Sequence, residues 1–286
     1  MAIILKGMEV VNQMKEGQVE QVASLSKQGI LPCLGIVRIG ARPDDLSYER
    51  GARKRCDSVG IKSVVFEFPE DISQEAFVAE FKKINGDKNV HGILLFRPLP
   101  KHLNEAEIKQ LIHPNKDIDC LSAQNIAKVF EGDESGFPPC TAQGVMEILE
   151  AKQIELEGRN VVVLGRSMVV GKPLAMMLLK KNATVSICHT KTKNLKEICK
   201  GAEILIVAVG KAKVLNHEFV SPGTVVIDVG INVDEAGALC GDVDFESVEA
   251  LASHISPVPG GVGTVTSSVL AKHVIWAAQK AGPLDF

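Results

Sequence analysis

The chain has 286 residues, of which 45% are hydrophobic and 23% are charged, and its formal net charge at pH 7 is -3. These values are typical of a soluble globular protein with room for two domains, and the charge gives no reason to expect nucleic acid as a partner. No apolar run reaches the roughly 18 residues of a membrane span, and the N-terminus shows no secretion signal. The seven cysteines are dispersed without a C-x-x-C pair. We therefore predict a cytoplasmic protein with reduced thiols, no bound metal and no membrane partner.

Short runs rich in Val and Ile alternate with amphipathic helical stretches in the first half of the chain. The predicted strands there are CLGIVRIG (33–40), KSVVFEFP (62–69) and HGILLF (91–96). Strands that are apolar throughout and alternate with helices indicate parallel sheets covered on both faces. Because a polar stretch at 131–140 interrupts the pattern, we predict a first α/β domain over residues 1–140.

The alternation resumes in the second half. The predicted strands there are NVVVLGRS (160–167), ATVSICHT (183–190), AEILIVAVG (202–210) and TVVIDVGIN (224–232). We predict a second α/β domain over residues 141–264, with a Rossmann-like, doubly wound parallel sheet. A last helical stretch, at 265–286, is predicted to pack back on the first domain.

The segment NVVVLGRSMVVGKP has the layout of a phosphate-binding turn. A strand is predicted to end at Leu164, glycines follow at Gly165 and Gly171, and a helix is predicted to start near Val170. A glycine lets the backbone approach a pyrophosphate, and a helix N-terminus offers free N–H groups. The spacing departs from G-x-G-x-x-G, since Ser167 takes the place of the second glycine. A tight β–α turn without a ligand is the alternative.

The next predicted strand bears on the choice between NADP and NAD. Sites for NAD tend to place a carboxylate about 20 residues beyond the turn, and CHTKTK (188–193) has none. Thr190, Lys191 and Lys193, together with Arg166, instead suit a 2′-phosphate through charge-assisted hydrogen bonds. A solvated basic loop is the alternative. NADP is the predicted cofactor, with NAD possible.

The segment SPVPGGVGT (256–264) holds two prolines and three glycines. Such a loop is stiff and poor in side chains, which suits backbone contact with a flat ligand. The start of the last helix alone also accounts for it.

Together these residues resemble the methylenetetrahydrofolate dehydrogenase/cyclohydrolase family over nearly the whole chain. The motifs that carry the resemblance, besides the tyrosine segment at 48–61, are RPLP (97–100), HPNKDID (113–119), PPCTAQG (138–144), GRSMVVGKP (165–173), CHTKT (188–192), VIDVGIN (226–232) and PVPGGVG (257–263).

The resemblance implies a Rossmann domain carrying NADP, a catalytic domain, folate in a cleft between them, and a homodimer. The implied reactions are hydride transfer from methylene-tetrahydrofolate, which gives the methenyl cation, and hydrolysis of that cation to formyl-tetrahydrofolate. The implied catalytic residues are Tyr48 and Asp119; the implied substrate-binding residues are Tyr48, Ala52, Phe96, Arg97, Asp119, Pro259, Gly260, Gly261, Val262 and Gly263; the implied cofactor-binding residues are Gly165, Arg166, Ser167, Gly171, Thr190 and Ile231.

The chain departs from the family pattern around the tyrosine. In bifunctional members a lysine lies four residues after the tyrosine and assists proton transfer in the hydrolysis; here that position is Ala52. The family's glutamine falls on Phe96, and the leucine after it is Arg97. Arg55 lies about 60° round the predicted helix from Ala52, but a guanidinium cannot act as a base.

We therefore predict a dehydrogenase with weak or absent cyclohydrolase activity, because general acid–base groups typically contribute about 10²- to 10⁴-fold to a rate. A bifunctional enzyme with a substitute base is one alternative. A non-catalytic homologue that binds folate or nucleotide is another.

Overall fold

The computed structural model describes residues 2–281, which form two compact units. The three-stranded unit comprises residues 13–140 with 267–281, and the six-stranded unit comprises residues 2–12 with 141–266. The chain therefore passes between the units three times. No helix in the described range is long and apolar enough to cross a membrane.

The strands are β1 (Ile3–Ile4), β2 (Cys33–Ile39), β3 (Lys62–Phe68), β4 (Gly92–Leu95), β5 (Asn160–Leu164), β6 (Thr184–Cys188), β7 (Ile204–Val207), β8 (Val225–Asp228), β9 (Asn232–Val233), β10 (Leu239–Cys240) and β11 (His254–Ile255). The α-helices are α1 (Gly7–Lys27), α2 (Pro43–Asp57), α3 (Gln74–Gly86), α4 (Glu105–Leu111), α5 (Ala123–Glu131), α6 (Cys140–Ala151), α7 (Gly171–Lys180), α8 (Leu195–Lys200), α9 (Phe245–Glu249) and α10 (Val262–Ala281). A short 3₁₀ helix covers His217–Phe219.

The three-stranded unit is built on a parallel sheet in the order β3-β2-β4. Every residue of β2 and β4 is buried, as expected for parallel strands whose two faces are both covered. Phe77 and Phe81 of α3 and Ile108 of α4 belong to the apolar core beside this sheet. The carboxyl end of β2 leads into α2, which has Pro43 at its first turn, and the carboxyl end of β4 leads into Phe96 and Arg97.

The six-stranded unit has a parallel sheet in the order β1-β11-β8-β7-β5-β6. Its edge strand β1 comes from the start of the chain: the N–H of Ile3 donates to Ser253 O and the N–H of Leu5 donates to Ile255 O, both at 2.8 Å. The predicted first domain, 1–140, included these residues, whereas the structure groups 2–12 with the second half. The difference arises because the pairing with β11 is not visible in a two-residue strand.

The predicted α/β class with parallel sheets is confirmed, and all seven predicted strands are present over fewer residues, the two predicted at 202–210 and 224–232 being four-residue strands. The last helix begins at Val262, and its residues 267–281 group with the three-stranded unit. The final five residues of the predicted helix, 282–286, lie outside the described residues.

Candidate active site

The predicted phosphate-binding turn is a tight β–α turn that only glycine can form at two positions. Gly165 has φ +132°, and a Cβ placed on it would lie 2.2 Å from the carbonyl oxygen of Ala208. A Cβ on Gly171 would lie 2.1 Å from the carbonyl oxygen of Gly165. The backbone therefore folds closely upon itself between the end of β5 and the start of α7. Such a turn leaves N–H groups at a helix N-terminus free for an anion.

The side chains of this turn are arranged toward solvent. The hydroxyl of Ser167 accepts a hydrogen bond from the N–H of Val170 at 3.0 Å, and the N–H of Gly165 donates to Cys188 O at 2.9 Å. The second bond ties the turn to the end of β6. Arg166 and Ser167 are both exposed.

The segment after β6 adds more exposed polar groups. Thr190, Lys191 and Lys193 are exposed. Within residues 2–281, neither lysine side chain nor that of Arg166 forms an ion pair, so three cationic groups are available to an anion. Three unpaired cationic side chains suit a nucleotide with a 2′-phosphate on its ribose better than one with a free 2′-hydroxyl.

The PGGVG loop (259–263) in the same unit is shaped by backbone contacts. Gly260 has φ +103°, and its carbonyl oxygen accepts the N–H of Gly7 at 2.8 Å. The side chain of Ile231 is 64% exposed, and its Cδ1 atom would lie 3.2 Å from a Cβ placed on Gly263. The structure therefore brings Ile231 and this loop together, while Val262 is buried.

Tyr48 lies on α2 and packs beside Phe96. The two ring centroids are 5.6 Å apart with an interplanar angle of 39°. Ala52, one helical turn after the tyrosine, is fully buried. Desolvation first, and then the negative charge of Asp119, raise the pKa of Tyr48 well above its ordinary value. Its phenol therefore stays protonated through the neutral range.

Asp119 is held by the start of α6. Its carboxylate accepts the backbone N–H of Cys140 at 2.8 Å. Desolvation raises the pKa of Asp119, and the bond from Cys140 partly opposes that rise. The preceding carbonyl, of Ile118, is hydrogen-bonded to Nδ1 of His273 at 2.8 Å and to Sγ of Cys140 at 3.2 Å. Hydrogen bonds therefore hold both the carboxylate of Asp119 and the backbone carbonyl of the residue before it.

Arg97 forms an ion pair that sequence reasoning did not foresee. Its Nη1 lies 3.3 Å from Oε1 of Glu105, which also binds Lys109 at 2.5 Å. The N–H of Leu99 donates to Oε2 of Glu105 at 3.3 Å. Even so, the charge of Arg97 lowers the pKa of Asp119. Glu105 is the first residue of α4. A carboxylate in the first helical turn after the RPLP segment is the sequence feature that could have indicated this ion pair.

The sequence-predicted residues fall into two sets. Those of the three-stranded unit are Tyr48, Ala52, Phe96, Arg97 and Asp119, and those of the six-stranded unit are Gly165, Arg166, Ser167, Gly171, Thr190, Ile231, Pro259, Gly260, Gly261, Val262 and Gly263. Within residues 2–281, no group of His, Cys, Asp and Glu side chains has an arrangement that would hold a metal ion.

Two family models match this chain. Residues 5–119 match the catalytic domain of tetrahydrofolate dehydrogenase/cyclohydrolase, and residues 139–282 match its NAD(P)-binding domain. The chain belongs to this family. The resemblance seen in the motifs is therefore confirmed. The catalytic-domain match contains Tyr48 and Asp119, and the NAD(P)-binding match contains the Gly165–Gly171 turn.

Individual relatives agree over almost the full length. The bifunctional protein FolD of Clostridioides difficile is 58% identical over 96% of both chains. The crystal structure of the bifunctional enzyme FolD of Campylobacter jejuni is 40% identical, with a TM-score of 0.95 over 98% of this chain and 99% of that one. The dehydrogenase-cyclohydrolase of Trypanosoma brucei, solved in complex with NADP and an inhibitor, is 33% identical, with a TM-score of 0.92 over 98% of both chains.

Proposed function

We propose that this chain is an NADP-dependent methylenetetrahydrofolate dehydrogenase of one-carbon metabolism whose cyclohydrolase activity is weak or absent. Family membership supports the first part. The observation that carries the second is local: the position one turn after Tyr48 is the fully buried Ala52, and the ring beside Tyr48 is Phe96. Neither side chain can move a proton.

The six-stranded unit has the features that NADP requires. The turn between Gly165 and Gly171 has no room for side chains on its glycines, so its backbone would hold the pyrophosphate. Arg166, Lys191 and Lys193 would hold the 2′-phosphate. When bound, NADP supplies the acceptor for a hydride.

The three-stranded unit would hold the folate. Tyr48 is 38% exposed and offers an aromatic ring, and Asp119 offers a carboxylate fixed by the N–H of Cys140. The oxidised product is a cation, and a nearby ionised Asp119 stabilises positive charge. Because Arg97 is neutralised by Glu105, its charge opposes that cation less than a free guanidinium would.

The hydrolysis needs a group that accepts and returns a proton, and the groups around Tyr48 supply little. Arg97 carries a guanidinium, and a guanidinium does not act as a general base. Burial, together with the charge of Asp119, raises the pKa of the Cys140 thiol well above its ordinary value, so no thiolate forms. Asp45, three residues before the tyrosine, is bound by Arg42 at 2.8 Å. The loss of a general acid–base group costs about 10²- to 10⁴-fold in rate.

A bifunctional enzyme is the second candidate. It is favoured by the names of close relatives, since proteins 58% and 54% identical to this chain are called bifunctional. The substitute base for this candidate is Asp119, because desolvation raises the pKa of its carboxyl group. A homodimer in the cytoplasm is inferred for either candidate from the family resemblance.

The deciding experiment follows two absorbances in one mixture of protein, methylene-tetrahydrofolate and NADP, and repeats the measurement with NAD. Accumulating methenyl-tetrahydrofolate that decays at the protein-free rate supports the dehydrogenase alone. Rapid conversion to formyl-tetrahydrofolate supports the bifunctional candidate. If neither nucleotide is reduced, the chain is a binding protein without the reaction.

A further inference from the structure

Arg55 and Tyr48 lie on the same face of α2. They are seven residues apart, which at about 100° per residue brings Arg55 to within roughly 20° of Tyr48 and about 10 Å further along the helix. Gly51 lies between them and is exposed, and a Cβ added to it would meet no atom within 4 Å. The face therefore has an aromatic ring at one end, open space in the middle and a guanidinium at the other end.

Within the described residues, Arg55 has no ion-pair partner, unlike four other arginines of this unit. Arg38, Arg42, Arg53 and Arg97 each form an ion pair with a carboxylate. Arg55 forms none with any residue in 2–281, and its Nε is buried without a hydrogen-bond partner.

A guanidinium in this state is poorly stabilised. Desolvation lowers the pKa of Arg55, which shows that the surrounding protein withdraws water from it without supplying a counter-charge. A partly buried cation with no partner costs free energy that a bound anion returns. Arg50 is also unpaired, but it is fully exposed and points to the opposite side of α2.

We propose that Arg55 binds a carboxylate of the glutamate tail of the folate substrate. The proposal rests on the proposed function, in which the aromatic part of the folate lies against Tyr48. An amide joins the benzoyl ring of folate to glutamate, and because one amide unit spans ~3.8 Å, the glutamate carboxylates fall about 5–9 Å from the ring. Side chains on a helix lean toward its N-terminus, so the guanidinium of Arg55 extends from that roughly 10 Å rise back toward Tyr48, where the glutamate carboxylates would lie. Ala52 carries no amine, so Arg55 supplies the positive charge on the face of α2 that carries Tyr48.

The test compares two substrates that differ only in the tail: methylene-tetrahydrofolate and methylene-tetrahydropteroate, which lacks glutamate. For Arg55→Gln we expect kcat/KM with the folate to fall about ten- to a hundred-fold, mainly through KM, because a hydrogen bond between charged groups is lost. With the pteroate, kcat/KM should be unchanged. Arg55→Lys should recover part of the loss, and Arg50→Gln is the matched control that changes neither value.

Equal losses with both substrates, or no loss with either, would overturn the proposal, because the effect would then not depend on the tail. If the wild-type protein reduces no nucleotide, the proposed function fails on its own. Arg55 is then tested by equilibrium binding of tetrahydrofolate and tetrahydropteroate to the wild type and to Arg55→Gln. A tail preference that disappears in the variant supports the assignment, and its absence from the wild type overturns it.

Discussion

The ring of Phe96 packs 5.6 Å from the ring of Tyr48, on the side of α2 where Ala52 is fully buried. An aromatic side chain thus occupies a place where, in bifunctional members of the family, the resemblance implies polar groups. Phe96 is only 6% exposed, and neither Phe96 nor Ala52 carries a group that can transfer a proton. The packing of Phe96 beside Tyr48 makes the hydrolysis of methenyl-tetrahydrofolate the most informative step to test by mutation.

Restoring the two family residues should restore hydrolysis. In the double variant Ala52→Lys with Phe96→Gln, we expect the rate of methenyl-tetrahydrofolate hydrolysis to rise by up to about 10²- to 10⁴-fold. The second change restores the other family residue and removes the ring that packs on Tyr48. The decay of methenyl absorbance measures the rate. Ala52→Met with Phe96→Gln is the control of similar volume without an amine, and an equal gain in that control would contradict the explanation.

Arg97 should set the pH dependence of the dehydrogenase. Its charge lowers the pKa of Asp119, so Arg97→Leu removes that effect and raises the pKa of the carboxyl group further. The acidic limb of the kcat/KM profile should then move to higher pH. Lys109→Leu is the control, since Lys109 also binds Glu105. A limb that moves equally in both variants would show that the loss of charge around Glu105, and not Arg97 itself, is responsible.

Arg166 should discriminate between the two nucleotides. We expect Arg166→Gln to raise the KM for NADP about tenfold, through loss of a charge-assisted hydrogen bond to the 2′-phosphate, and to leave the KM for NAD unchanged. Initial rates at varied nucleotide concentration give both constants. Lys200→Gln, an exposed cation at the end of α8, should change neither. A matching rise for both nucleotides would place Arg166 at a shared part of the cofactor.

The turn glycine should be less replaceable than another glycine of positive φ. Gly165 and Gly158 have φ of +132° and +73°, but only at Gly165 does an added Cβ meet a backbone atom, at 2.2 Å. We expect Gly158→Ala to cost about 1 kcal/mol of unfolding free energy from backbone strain. Gly165→Ala should cost a further 1–3 kcal/mol or so from overpacking. Thermal unfolding followed by circular dichroism compares them, and equal costs would mean that the turn relaxes around the methyl group.

Asp228 should make the free energy of unfolding depend on pH. It is 3% exposed, and desolvation raises its pKa from 3.8 to about 6, against the donated N–H bonds of Val243, Asp242 and Gly230. Between these values the folded state binds a proton that the unfolded state has lost. The contribution of Asp228 to the free energy of unfolding therefore falls as pH rises from about 4 to 6, by roughly 3 kcal/mol.

The variant Asp228→Asn isolates this contribution because it cannot titrate. Urea midpoints measured from pH 4 to 7 should show the wild type losing stability relative to the variant across that window. A constant difference between the two proteins at every pH would show that the carboxyl group does not change its protonation there.

Much of the fold could be predicted because its strands are continuous apolar runs. Strands such as β2 and β5 lie inside parallel sheets, and burial on both faces leaves a signal in every residue. The two-residue β1 was missed, since its membership of the six-stranded sheet depends on hydrogen bonds to residues about 250 positions away. The turn glycines were predicted from their spacing, and the structure supplies the reason as close backbone contacts.

The candidate site was less predictable where it depends on contacts between distant side chains. The direction of Arg97 was open until its ion pair with Glu105 was seen. The bond from Cys140 to Asp119 spans 21 residues and has no local pattern. Helical geometry did place Arg55 about 60° round α2 from Ala52, but whether a neighbour satisfies its charge can be read only from the packed structure.

The position of β1 affects how the six-stranded sheet forms during synthesis and how the chain can be cut into fragments. During synthesis Ile3–Ile4 emerges roughly 10–50 s before its partner strand β11, at 5–20 residues per second, so the sheet is completed only once β11 has been made. A recombinant fragment of residues 141–266 would carry β11 as an uncovered edge, open to pairing with other chains. A permuted gene that places residues 2–12 after residue 266 would supply the missing strand within one contiguous segment.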